Sequence, residues 1–284
     1  MYLFKKVSDL QHHLHQLRAG GRKIGFAPTM GALHQGHLSL IRRAAAENDC
    51  TVCSIFVNPT QFNDAADLEK YPRTAANDIH LLTSKGNNVL FMPPVEEVYP
   101  PDLDTKISFS FGPLAAVMEG AHRPGHFEGM AQVVKRLLDI VQPDGLYMGQ
   151  KDFQQLAIVR SMLKQLGSGI DLVMCPIIRE EDGLAMSSRN VRLDPALRPQ
   201  AALLSQTLQK TKALQDQQSP AEISAAALNT LTRPGFRPEY FEIVDGRSLQ
   251  RLHRFEETDF AVACTAVWVG EVRLIDNLIL KGPG

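Results

Sequence analysis

Cysteine is scarce in this 284-residue chain, and so is any excess of charge of one sign. Thirty basic residues stand against 31 acidic ones, with a net charge of −1 and no long run of either sign. That balance disfavours a polyanion-binding tail and broad nucleic-acid binding. Four cysteines are too few for the disulfide framework of a small secreted fold. Cys50 and Cys53 form a CxxC in or beside the apolar run TVCSIFV. In a strand, an offset of three sends the two side chains to opposite faces, so both read as structural. Cys175 and Cys264 are solitary, so no second pair completes a zinc site. Long hydrophobic runs are missing too. The stretch from Phe260 to Val269, interrupted by Thr265, is about half of what a bilayer span requires. The N-terminus, MYLFKKVSDLQHHLHQL, reaches two lysines after four residues and never develops a signal-peptide core. A cytoplasmic protein is expected, with no membrane or nucleic-acid partner. No fixed-period repeat or low-complexity tract is present.

What is there suits a large folded body. The length is close to twice a typical domain and 44% of the residues are hydrophobic, so the chain can bury roughly three quarters of its unfolded surface without a metal or disulfide staple. Over the first 175 or so residues, short apolar runs (KIGFAP, TVCSIFV, NNVLFM, DGLYMG, IDLVMC) alternate with helical patterns (GHLSLIRRAAAEN, RTAANDIHLLTSKG, KDFQQLAIVRSMLKQLG). This alternation predicts an α/β fold, a Rossmann-like doubly wound parallel sheet. After Pro176 comes a loop-like stretch, then a helix from about Pro195 to Asp216 and a second opening at Ser219. Ser219, Pro220 and Glu222 spell a capping box with proline at the first helical position. The runs EYFEIVD, DFAVACTAVWVG and VRLIDNLIL then suggest an antiparallel layer. The expected domains are therefore residues 1–176, Rossmann-like, and residues 177–284, a smaller α+β lid.

Chemistry concentrates at strand-to-helix junctions. Pro28 to His37 reads PTMGALHQGH, directly after one strand and before an amphipathic helix. A glycine-bearing turn there offers backbone N–H groups and the positive helix end to an anion, and histidines at i and i+3 can donate to phosphate oxygens. Gly149-Gln150-Lys151-Asp152 occupies the equivalent position after DGLYM. Lys151 can supply a point charge and Asp152 can accept from a ribose hydroxyl, although both could simply cap the helix. Met186-Ser187-Ser188-Arg189-Asn190 offers two hydroxyls and a guanidinium suited to the far phosphates of a triphosphate, or else a solvated linker. Gln61 follows TVCSIFV at a strand's carboxyl end. The loop AHRPGHFEG could flank an anionic substrate or lie in solvent.

PTMGALHQGH, VNPTQF, YPRT, HRPGHFEG, GQKDFQQ and MSSRN, in that order and across nearly the whole chain, resemble the pantothenate synthetase (pantoate–β-alanine ligase) family of HxGH nucleotidyltransferases. The resemblance implies an ATP-dependent ligase working with Mg2+ through pantoyl adenylate, as a homodimer with small-molecule substrates. By position, Met30, Gly31, Ala32, Leu33, His34, Gln35, Gly36 and His37 would bind ATP, with His37 the proton donor and His34 a second phosphate donor. Gly149, Gln150, Lys151 and Asp152 would contact ribose and phosphates, and Ile178 the adenine. Met186, Ser187, Ser188 and Arg189 would close over the triphosphate. Lys151, Ser187, Ser188 and Arg189 are the catalytic candidates beside the histidines. Gln61 would bind pantoate and β-alanine, Gln155 would bind pantoate, and Asp78 would associate with magnesium. Gln35 and Gln150 stand where the family often has glutamate. An aminoacyl-tRNA synthetase-like enzyme is the nearest rival. It would want a basic surface and usually a further binding domain, whereas this chain has balanced charge and only about 100 residues after the nucleotide domain. A non-catalytic nucleotide sensor on the same fold is the second, and both histidines, Lys151 and Arg189 together argue against it.

Overall fold

The computed structural model describes residues 1–62, 68–84, 89–105 and 109–282. The ends of two expected elements, residues 85–86 and 87–88, lie outside them. The chain divides into two compact units. The first comprises Met1–Phe111, Arg123–Gly149 and Ile158–Cys175, and the second Gly112–His122, Gln150–Ala157 and Pro176–Gly284. The second unit thus begins its long run at Pro176, next to the expected boundary, but also takes two short pieces from earlier in the chain.

The first unit is built on six parallel strands: β1 (Tyr2–Phe4), β2 (Ile24–Thr29), β3 (Cys50–Ile55), β4 (Val89–Phe91), β5 (Gly145–Gly149) and β6 (Asp171–Cys175), in the order β1-β4-β3-β2-β5-β6. Each expected strand is present because each is a short, nearly continuous apolar run, the signature of a strand covered on both faces. β3 is buried at every position. β1 was not anticipated: it is a three-residue edge strand, mostly exposed, and carries no burial signal. Flanking helices include α1 (Val7–Ala19), α2 (Gln35–Glu47), α3 (Ala75–Ser84) and α4 (His126–Val141). α2 directs Leu38, Ile41 and Ala44 into a core shared with Ala27, Cys53, Ile55 and Leu90. Each large aliphatic side chain buried there stabilises by roughly 1.5–3 kcal/mol. β2 pairs with β3 on one side and β5 on the other, so chain order reverses at β2. In open parallel sheets, ligands bind beyond the carboxyl ends of the strands at such a reversal.

In the second unit, β7 (Phe236–Asp245), β8 (Ala261–Val269) and β9 (Val272–Lys281) form an antiparallel sheet. α5 (Phe153–Gln165) begins in this unit and finishes in the first. Two helices, α6 (Leu203–Leu214) and α7 (Pro220–Leu231), contribute to the core of the small sheet. α7 starts as its sequence dictates: Ser219 Oγ accepts from the Glu222 N–H, and the Glu222 carboxylate accepts from the Ser219 N–H at 2.9 Å. α6 is shorter than expected at its start. Pro199 sits in a separate short turn, Arg198–Gln200, and the α-helix opens only at Leu203. All four cysteines are buried and free. Burial pushes the thiols of Cys50 and Cys175 up to about 11 and that of Cys53 to about 12, away from nucleophilic chemistry.

Candidate functional site

The first phosphate candidate lies where β2 ends and α2 begins, and two histidines cap the helix. His34 is the N-cap, with extended backbone. Its Nδ1 accepts from the Gly36 N–H at 3.1 Å, while His37 Nδ1 accepts from the His34 N–H at 3.4 Å. The rings lie 4.1 Å apart between centroids. A neutral imidazole whose Nδ1 accepts carries its proton on Nε2, so the capping fixes both rings in the tautomer that can donate from its outer edge.

The turn before the cap is built differently from expectation. Gly31 (φ +82°) and Ala32 (φ +48°) both occupy the left-handed region. The Gly31 N–H donates to Thr29 Oγ1 at 3.2 Å, and the Ala32 and Leu33 N–H groups donate to the Asp78 carboxylate at 3.0 and 2.9 Å. With those of His34 and Gly36 engaged in the cap, the N–H groups of Gly31, Ala32, Leu33, His34 and Gly36 already have partners. The N–H groups of Gly31, Ala32 and Leu33 are therefore not on offer to an anion, which leaves it to side chains and to the start of α2. Asp78, expected beside magnesium, is 1% exposed and receives the Thr74 hydroxyl as well, at 3.1 Å.

Gln61 stands beside this turn. Its Nε2 reaches Met30 Sδ at 3.1 Å, and its Oε1 accepts from Asn58 Nδ2 at 3.2 Å. Asn58 is buried, accepts from the Tyr99 hydroxyl at 2.9 Å and donates to the Gly129 carbonyl. Within AHRPGHFEG only residues 123–125 form a turn, because Ala121 and His122 end a short helix, Glu119–His122, and α4 begins at His126. His126 is buried; its Nδ1 donates to the Gln61 carbonyl at 2.9 Å and its Nε2 accepts from Arg123 at 3.1 Å. The loop therefore braces Gln61. A cavity of about 220 Å³, lined by Met30, Gly31, Ile55, Thr74, Asp78 and Pro94 among others, adjoins the turn.

In the second unit, Gln150, Lys151 and Asp152 form one tight turn leading into α5. Asn277 of β9 holds it. Asn277 Nδ2 donates to the carbonyls of both Gln150 and Lys151 at 3.0 Å, and its Oδ1 accepts from Gln150 Nε2 at 3.0 Å. Beside Asn277, Asp276 makes a two-pronged pair with Arg179 at 2.7 and 3.1 Å. Burial pushes the Asp276 carboxyl up against the opposing pull of Arg179. Ile178 and Met186 are joined, the Met186 N–H donating to the Ile178 carbonyl at 3.0 Å. Ser187 caps the turn Ser188–Arg192 by accepting from the Arg189 N–H at 3.2 Å. Gln155 is half-buried on α5. Its neighbour Gln154 is buried and donates to the carbonyls of Leu114 and Val117.

Asn277 lies outside every candidate site segment the sequence singles out, whereas Asn58, His126 and Gln154 fall inside VNPTQF, AHRPGHFEG and GQKDFQQ without being recognisable there as supports. The polar pair Asp276-Asn277, interrupting an apolar strand, was the one available signal. Among the described residues, no group of three His, Cys, Asp or Glu side chains is placed to hold a metal ion, and no helix is long and apolar enough to cross a membrane.

The family model described as Pantoate-beta-alanine ligase matches residues 2–279. A pantothenate synthetase of Phocaeicola vulgatus is 53% identical, with 99% of this chain and 100% of the relative aligned. One from Porphyromonas gingivalis is 52% identical over 98% of this chain and 99% of its own length. Among solved structures, pantothenate synthetase from Thermus thermophilus superposes with a TM-score of 0.92 at 43% identity, covering 99% of this chain and all of that one. Pantoate-beta-alanine ligase from Francisella tularensis, solved with beta-gamma ATP and beta-alanine, gives 0.81 at 34% identity with both chains fully covered. Agreement that runs from one end of the chain to the other, in sequence and in fold, makes this chain a member of the pantoate–β-alanine ligase family.

Proposed function

We propose that this protein joins pantoate to β-alanine at the expense of ATP, forming pantothenate, AMP and pyrophosphate. The observation that carries the reading is the histidine cap at the start of α2, which holds the Nε2–H edges of His34 and His37 as preset donors. In the first step the pantoate carboxylate attacks the α-phosphorus. The new bond is carboxyl O to P, and the bond from the α-phosphorus to the bridging oxygen breaks, releasing pyrophosphate. In the second step the β-alanine amine attacks the acyl carbon, AMP departs, and the amine loses its proton. Neither step needs a covalent enzyme intermediate. Both need donors fixed where negative charge grows and two reactants held in attacking geometry.

His37 is the proton donor to the transferring phosphate and His34 donates beside it. Gln61, whose amide is oriented by Asn58 and whose backbone is held by His126, binds pantoate, and so does Gln155. Lys151 places positive charge on the phosphates, Asp152 accepts from the ribose, and Ile178 contacts the adenine. Ser187, Ser188 and Arg189 cover the triphosphate. Magnesium enters as part of the Mg-ATP substrate, and Asp78, already holding three donors, does not fit the part of its ligand. The protein acts in the cytoplasm as a homodimer, for which light scattering on the eluting peak should give twice 31.4 kDa.

The deciding experiment mixes the protein with Mg-ATP and pantoate and omits β-alanine. An enzyme-bound acyl adenylate, with pyrophosphate exchange that depends on pantoate, is the expected result. Folded protein that forms no adenylate would overturn the reading.

A further inference from the structure

A carboxylate in a turn that was expected to hold a phosphate calls for an explanation. Asp78 lies in the first turn of α3 and is 1% exposed. Its Oδ1 accepts from the Leu33 N–H and the Thr74 hydroxyl, filling both lone-pair directions, and its Oδ2 accepts from the Ala32 N–H. Magnesium takes near-octahedral oxygen and keeps several waters, and among the described residues no cluster of acidic or histidine side chains stands ready to share such an ion. The residue whose N–H donates to Oδ2 is the strained one. Ala32 sits at φ +48°, a conformation a non-glycine residue keeps only where its surroundings hold it. Next to it, a Cβ on Gly31 would come within 3.1 Å of Asp78 Oδ2, so carboxylate and turn are in close contact.

We infer that Asp78 is a positioning residue, a resident anion that holds the Gly31–Leu33 turn in shape and keeps its N–H groups from a phosphate. The nucleotide is thereby directed onto the imidazole edges of His34 and His37. This inference rests on the proposed adenylation reaction, and its test separates the two.

The variant is Asp78→Asn, which keeps the size and turns an amide donor toward the backbone donors of the turn. In the ligand-free protein, hydrogen exchange of the Ala32 and Leu33 amides should quicken. Maximal pantoate-dependent pyrophosphate exchange should fall about 10–100-fold, the scale of a catalytic group displaced by about an ångström. The KM for pantoate should change far less, and the half-saturating Mg2+ concentration at fixed ATP should stay within about twofold. Adding Ala32→Gly should recover part of the loss, because glycine adopts the left-handed conformation without being held. A half-saturating Mg2+ that rises as activity falls, with recovery at high Mg2+, would make Asp78 a metal ligand and overturn the inference. Unchanged exchange by Asp78→Asn would overturn it as well. Should Asp78→Asn fail to fold, Thr74→Val removes only one donor to the carboxylate and is read by the same criteria, with about a threefold fall expected. Failure of the unaltered protein to exchange pyrophosphate would instead remove the proposed function.

Discussion

The turns that follow β2 and β5 begin alike, each a glycine-bearing step from a parallel strand toward a helix, and are held in opposite ways. The first is held by a carboxylate that accepts from its N–H groups. The second is held by an amide that donates to its carbonyls. The consequence lies in what each turn has left to offer. With its Ala32 and Leu33 N–H groups engaged, the first has its histidine side chains left. With its Gln150 and Lys151 carbonyls engaged, the second has the Lys151 side chain left. On the proposed function, the shared strand–turn–helix outline therefore covers a division of labour between the histidines of the first turn and Lys151 of the second.

The largest expected effect falls on the first turn. On the proposed function His37→Ala removes a transition-state donor, and pantoate-dependent pyrophosphate exchange should fall by about 10²–10³. An equal loss in Lys151→Ala, with no difference in the KM for ATP, would erase the proposed division. Next comes the support of the second turn. Asn277→Leu leaves the Gln150 and Lys151 carbonyls without their donor, which should cost about 1–3 kcal/mol in unfolding free energy and raise the KM for ATP about tenfold. A lowered Tm with an unchanged KM would mean that Asn277 serves the fold alone.

A pair of glycine substitutions sharpens the contrast. Gly31→Ala meets a positive φ and contacts at 3.0 and 3.1 Å with Ile55 and Asp78, so it should destabilise by about 1–3 kcal/mol. Gly149→Ala meets nothing nearer than Leu40 Cδ2 at 4.0 Å and should leave stability within about 0.5 kcal/mol. Equal thermal shifts in the two would contradict the account of the first turn. The smallest effect is expected from Gln150→Glu. The carboxylate cannot donate to Asn277 Oδ1 and would swing into solvent, losing one neutral hydrogen bond, while Asn277 keeps both main-chain carbonyls. The KM for ATP should move by no more than about threefold, and a larger change would place the Gln150 side chain on the nucleotide.

The sheet was largely legible because a strand buried on both faces writes itself as an apolar run; β3 and β8 were plain for that reason. β1, exposed and three residues long, writes nothing comparable. α4 was hidden at its start because the glycine and proline of HRPGHFEG read as turn, although Gly125 is the left-handed residue from which the helix departs. The first two candidate segments could be located because in each a glycine-bearing turn with histidine or lysine links an apolar strand run to a helical pattern. Their supports were not visible. Asp78 meets Ala32 across 46 positions and Asn277 meets Lys151 across 126, and no local periodicity records a contact of that range.

The buried thiols give the two units separate clocks. Cys50, Cys53 and Cys175 lie in the first unit and Cys264 in the second, and none is exposed in the native fold. A thiol reagent added to the folded protein therefore waits on opening, and the order in which the four sites are modified reads which unit opens first. Labelling with and without nucleotide would show whether a ligand slows one clock or both, without any reporter having to be engineered into the chain.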